Sequence, residues 1–225
     1  MTAPLSLTTR LRLARLALVV PPEHSGPEAA DFAAHGADIL VLAKGERSVE
    51  EAAEGLRVAR NRLFGLQTVV AADSLDVAEA SGADMVFLKR PGWRPFGVRR
   101  PHEFALLGRP IDGADEADKI DGDPWNFAFV GPAVTDGRVA EVIGEMAAQY
   151  PPTALPAGPV WFAAGGISSS NIDAVLAAGA RRAVVSTAVF AAEDPFRESQ
   201  AIASALRSGW DADPGAAAYG AAAFG

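Results

Sequence analysis

Apolar runs return along this chain at regular intervals, and most follow a helical pattern that closes on a glycine. Leu16-Ala-Leu-Val-Val20 is apolar at every position, the pattern of a strand covered on both faces. The same reading predicts strands in 36–44, 67–71, 82–89, from 104 onward, in 127–134, 160–164 and 183–186. Helical patterns fill the gaps: a short one over 27–35, and one capped by Ser48 over 49–60. Others are opened by Ser74 as far as Ala80, and fall near 115–120. Val139, Val142, Ile143, Met146, Ala147 and Tyr150 repeat at helical spacing and make one buried face. Ser170 with Asp173 reads as a capping box for a helix over 171–178 that Gly179 stops, and Asp194-Pro195 starts a last helix to about Leu206.

The joints repeat as well as the elements. Gly36-Ala-Asp-Ile-Leu-Val-Leu and Gly82-Ala-Asp-Met-Val-Phe-Leu are near copies, and Gly179-Ala-Arg-Arg-Ala-Val-Val is a third. Eight buried strands alternating with helices predict an α/β fold, a single closed (β/α)₈ TIM barrel over 16–210. An open, doubly wound sheet is the rival. Residues 1–15 are read as an N-terminal extension, and 211–225 as a frayed low-complexity tail.

The chemistry concentrates at the seventh and eighth strands. Val160-Trp-Phe-Ala-Ala ends in Gly165-Gly166, and Val184-Val185 ends in Ser186-Thr187. Glycines let the backbone turn tightly, and free N–H groups at such turns accept a dianion. A barrel commonly holds phosphate at these two places, which favours it over the open sheet. The segment 90–101, with two aromatics, three prolines and four arginines, breaks the rhythm. It reads equally as a solvated loop or as a lid over an anionic ligand, with Trp93 placed to stack on a ring.

Composition narrows the classes. With 28 acidic against 20 basic residues the net charge is -8, which argues against a nucleic-acid partner. The absence of cysteine removes disulfides, thiolate catalysis and zinc–cysteine sites. No apolar stretch approaches a membrane span, so the expected location is the cytoplasm. The expected partner is a phosphorylated small molecule, and assembly into a homo-oligomer stays open.

Ala163-Ala-Gly-Gly-Ile-Ser-Ser-Ser-Asn-Ile, Val184-Val-Ser-Thr-Ala-Val-Phe190 and Glu193-Asp-Pro195 resemble the C-terminal signature of the thiamine phosphate synthase family, which includes its thiazole tautomerase relatives. The resemblance in strand order runs from about Leu16 to about Pro195. It implies a transferase that joins a hydroxymethylpyrimidine diphosphate to a thiazole phosphate, giving thiamine phosphate and diphosphate with the help of Mg²⁺. It assigns the thiazole-side phosphate to Gly165, Gly166, Ser186 and Thr187, through backbone N–H and hydroxyl donors. It places Asp73 at the metal, and Lys44, Thr135 and Arg138 on the diphosphate side.

This sequence departs from the family pattern on that side. Val41-Leu-Ala-Lys-Gly45 stands where the family has Gln-x-Arg-x-Lys, Ala72 replaces the Asn before the metal Asp, and Phe87-Leu-Lys-Arg-Pro-Gly92 replaces His-Leu-Gly-Gln and the carboxylate after it. Lys89 and Arg90 are therefore candidates to supply the missing positive charge. The tautomerase histidine would fall near Asp112, where there is none. The competing expectations are a non-catalytic relative that kept the phosphate cup as a binding or regulatory module, and a different barrel enzyme acting on another phosphorylated small molecule.

Overall fold

The computed structural model describes residues 6–89, 99–120 and 124–224. Eight parallel strands form the barrel: Leu16–Val20, Ile39–Leu42, Val69–Ala72, Met85–Phe87, Leu106–Ile111, Phe127–Val130, Val160–Ala164 and Ala183–Val185. Each pairs with its neighbours in sequence, and the eighth pairs with the first (Leu16 beside Ala183), so the sheet closes. The predicted TIM barrel is the observed one, and the open sheet is excluded.

The apolar runs have no polar alternation because both faces are buried, and the period of two sorts their residues into two cores. Leu16, Leu18, Leu40 and Leu42 point outward to the helices. Ala17, Ile39, Val41, Met85, Phe127, Phe129 and Phe162 fill the barrel. Gly108 belongs to the second arrangement: a Cβ there would lie 2.1 Å from the Phe127 ring, so its absence makes room for that ring.

The outer helices are α1 (Leu7–Leu13), α2 (Val49–Arg62), α3 (Leu75–Ser81), α4 (Glu141–Gln149), α5 (Ile172–Ala177), α6 (Thr187–Phe190), α7 (Pro195–Asp211) and α8 (Ala216–Phe224). Ser48 caps α2 in a reciprocal box with Glu51, as its spacing demands. The stretches at 27–35 and 115–120 form 3-10 turns, Pro27–Ala33 and Ala114–Lys119. Residues 90–98, with Arg90, Trp93 and most of the expected lid, lie outside the described residues.

Four expectations are corrected. The tail is not frayed: its alanines build α8, which lays Tyr219 against Trp210 and is tied to α1 by a bond from Thr9 Oγ1 to Ala223 O. Helix α7 runs past Leu206 to Asp211, because Trp210 is a buried position one turn further on. The capping box at Ser170 and Asp173 does not form; Asn171 is the N-cap of α5, and Ser170 Oγ pairs with Ser168 Oγ. The sixth strand ends at Val130 instead of 134, because Pro132 brings no N–H to the ladder. The chain turns there into a hairpin, Val134–Thr135 against Arg138–Val139.

Helix α1 seals the barrel's N-terminal end, with Leu11 and Ala14 packed beneath the interior. Arg182, fully buried, locks this end together. Its guanidinium donates to Arg12 O at 2.9 Å, Pro152 O at 3.3 Å and Tyr219 Oη at 3.1 Å, and lies 5.0 Å from the Trp210 ring centroid. Burial lowers its pKa, and Tyr219 opposes that fall. Among the described residues, no helix closes the opposite, C-terminal mouth in this way.

Candidate active site

A cavity of about 690 Å³ opens at that mouth. Phe87, Phe129, Ile111 and Val184 line its bed, with the two phenyl rings stacked at 4.0 Å. The turn Gly165–Ile167 and the segment Ser186–Ala188 form one wall, and Lys89 stands in the lining as well. Gly165, Gly166, Ser186, Thr187 and Lys89, singled out in the sequence, thus meet around one space.

The double-glycine turn is forced by its surroundings. Gly165 and Gly166 have φ of 95° and 72°, in the left-handed region. A Cβ on Gly166 would lie 2.4 Å from Val134 O, so the hairpin strand and the turn approach as bare backbones. Bonds from Ala133 N to Ala164 O (2.7 Å) and from Val134 N to Gly165 O (3.0 Å) fix that approach. Asn171 holds the other side: Nδ2 donates to Gly166 O at 2.8 Å, and Oδ1 accepts from Ser168 N at 2.9 Å. The carbonyl of Gly166 is therefore occupied, while its N–H has no acceptor among the described residues.

The eighth strand supplies the second set of donors. Val189 N and Phe190 N both close on Ser186 O, which leaves the N–H groups of Thr187 and Ala188 without acceptors among the described residues. The Ser186 hydroxyl does not join them, contrary to expectation. It donates to Val19 O at 2.6 Å and so ties the eighth strand to the first. The exposed Thr187 hydroxyl remains beside the free amides.

The other expected residues are more scattered. Asp73, 12% exposed in its side chain, accepts from Lys44 N at 3.0 Å and faces Lys89 Nζ at 3.9 Å. Lys44 thus meets Asp73 through its backbone, and its side chain is not part of the cavity lining. Thr135 and Arg138 face each other across the hairpin, exposed and outside the lining. The hairpin turns at Asp136 and Gly137, whose φ of 49° and 74° match the tight turn that Asp-Gly favours. That signal stands in the sequence just past the stretch 127–134 read as a strand, and it marks a hairpin there. Phe87, Phe129 and Asn171 were also missed as site residues, the first two because they look like ordinary core.

Among the described residues, no three His, Asp or Glu side chains come together to hold a metal ion. Mg²⁺ asks for octahedral oxygen ligands from carboxylates, water and phosphates. Asp73, already held by an amide and faced by an ammonium, does not fit that demand.

No family model matches the chain. It is 34% identical over 206 residues to the thiamine-phosphate synthase of Thermobifida fusca, covering 84% of this chain and 91% of that one. It is 31% identical over 223 residues to the thiamine-phosphate synthase of Mycobacterium tuberculosis, covering 88% and 97%. Among solved structures, thiamine phosphate pyrophosphorylase from Pyrococcus furiosus aligns with a TM-score of 0.71 at 21% identity, over 91% of this chain and 99% of that one. That similarity speaks to the fold. The sequence relatives, more than 30% identical and matched over nearly their whole length, place the chain in the thiamine phosphate synthase family.

Proposed function

We propose that this protein makes thiamine phosphate by joining a hydroxymethylpyrimidine diphosphate to a thiazole phosphate. One observation carries the reading: a cavity with an aromatic bed along one side and, along another, amides that have no acceptor among the described residues. A phosphorylated heterocycle has the same two halves. Its ring lies on Phe87 and Phe129, and its phosphate meets the N–H groups of Gly166, Thr187 and Ala188, with Gly165 shaping the turn and Ser186 bracing the wall. Each charge-assisted hydrogen bond of this kind contributes about 1.5–3 kcal/mol, so three suffice to orient a small ester.

The chemistry then needs little from the chain beyond positioning and charge. The C–O bond between the pyrimidine methylene and the diphosphate breaks, and the diphosphate leaves with the electron pair. The thiazole nitrogen donates its lone pair to the methylene carbon, forming the C–N bond. The dry bed excludes water that would otherwise capture the methylene, and the anchored phosphate presents the nitrogen to it. On the diphosphate side, Lys89 stands in the cavity wall. Thr135 and Arg138 on the hairpin, and the loop of Lys44, are the further donors we assign to the rim. Residues 16–210 form the catalytic barrel in this reading. The non-catalytic alternative is not favoured, since the relatives matched over nearly their whole length are synthases by name.

Incubating the purified chain with both substrates and Mg²⁺, and measuring thiamine phosphate and released diphosphate, tests the proposal. Equimolar appearance of both is expected. Neither product above the background without protein would overturn it.

A further inference from the structure

A leaving diphosphate needs positive charge beside it, because its negative charge grows as the bond breaks. The described residues provide that charge on a side chain. Lys89 reaches from just beyond the fourth strand into the cavity lining, and its ammonium lies 3.9 Å from Asp73 Oδ2. Asp73 is itself held by the N–H of Lys44 at 3.0 Å, so the carboxylate is a fixed post. Lys89 is 57% exposed and, among the described residues, makes only this ion-pair contact at 3.9 Å, which leaves its N–H donors available to a ligand.

The same arrangement opposes a divalent ion. A dication at Asp73 would meet the Lys89 ammonium as a like charge, and among the described residues Asp73 belongs to no group of three or more His, Asp or Glu side chains that could hold a metal ion. We infer that Lys89 is a built-in cation, positioned by Asp73, and that this protein binds a diphosphate group through it without a divalent metal. The inference rests on the proposed reaction for its ligand class. Atoms and charge balance without a metal, since Lys89 only donates hydrogen bonds to the departing oxygens.

Inorganic diphosphate is the probe. Calorimetric titration into the full chain is run once with EDTA and once with saturating Mg²⁺, and Mn²⁺ is titrated separately with detection by electron paramagnetic resonance. The expected results are an affinity in EDTA no more than threefold below that in Mg²⁺, no stoichiometric Mn²⁺ binding to the protein alone, and about tenfold weaker diphosphate binding in a folded Lys89→Met variant. Dependence on Mg²⁺ above threefold, a stoichiometric Mn²⁺ site, a loss below threefold in Lys89→Met, or no binding at all would each overturn it. The Mn²⁺ measurement on the parent protein stands even if the variant does not fold. Metal-free diphosphate binding without thiamine phosphate formation would refute the reaction and leave this inference standing; product formation with Mg²⁺-dependent diphosphate binding would do the reverse.

Discussion

Gly166→Ala isolates the physical cause of the proposed phosphate cup. Two costs apply there. An L-residue with φ near 72° pays about 1–2 kcal/mol for the left-handed conformation. The new methyl would also lie 2.4 Å from Val134 O and 3.1 Å from Val134 Cβ. Backbone cannot rotate aside as a side chain can, and two main-chain bonds hold this one, so a further 1–3 kcal/mol is about what overpacking costs. Gly137→Ala is the internal control: its φ is 74°, yet nothing lies within 4 Å of its Cβ position. The conformational term is therefore shared and the collision is not. For a chain of this size roughly 2–4 °C of melting temperature accompanies each kcal/mol, giving about 4–20 °C for Gly166→Ala against about 2–8 °C for Gly137→Ala. Thermal melts of both variants in parallel, with calorimetric titration of a thiazole phosphate, make the comparison. We expect the larger drop and at least tenfold weaker phosphate binding only in Gly166→Ala. Equal melting temperatures, or undiminished phosphate binding in Gly166→Ala, would refute the account of a turn held open by backbone contact.

The N-terminal lock makes its own demands. Arg182→Ala removes the guanidinium that donates to Tyr219 Oη and two carbonyls; each acceptor left buried and unpaired costs about 1–3 kcal/mol, read as a lower urea midpoint. Asn171→Ala frees the Gly166 carbonyl and should raise the KM for the thiazole phosphate several-fold with little change in melting temperature. Asp213 lies beside α8: burial raises its pKa, but bonds from Thr153, the Gly215 N–H and Arg181 outweigh this and bring it below the ordinary value. A depressed carboxylate stabilises the fold above its unfolded pKa of about 3.9 and stops doing so as the pH falls through its lower folded value. Melting temperatures measured from pH 6 down to pH 3 should therefore fall less steeply below pH 4 for Asp213→Asn than for the parent chain.

The half of the site made of main chain was legible, because sterics leave few choices. Two glycines after a buried strand, followed by residues that open a helix, admit one local geometry, and Gly165–Gly166 adopts it. The tail was misread for a related reason. Ala216 to Phe224 has the composition of a loose end, and its docking rests on distant partners: Tyr219 beside the buried Arg182 and against Trp210, and Ala223 O on Thr9. No local pattern in the sequence joins Tyr219 to Arg182, which lie 37 positions apart. Thr135-Asp136-Gly137-Arg138 carried a hairpin signal that the apolar run before it overshadowed. The correct reading needed the strand to stop at Val130, and the cue was Pro132.

The proposed diphosphate half depends on side chains from different strands, where the sequence is silent until the barrel order is known. The register then becomes informative. Ala72 pairs with Val86, so Asp73 stands level with Phe87, the last residue of the adjacent strand, and Lys89 follows two residues beyond that strand's end. An extended residue rises about 3.3 Å, so two residues separate the positions by at most some 6–7 Å. A four-carbon lysine stem spans that gap, whereas a short side chain at 89 would leave Asp73 facing open solvent. The pairing of Lys89 with Asp73 thus follows from parallel neighbours in register, and a metal ligand read from Asp73 alone ignores what the next strand brings to it.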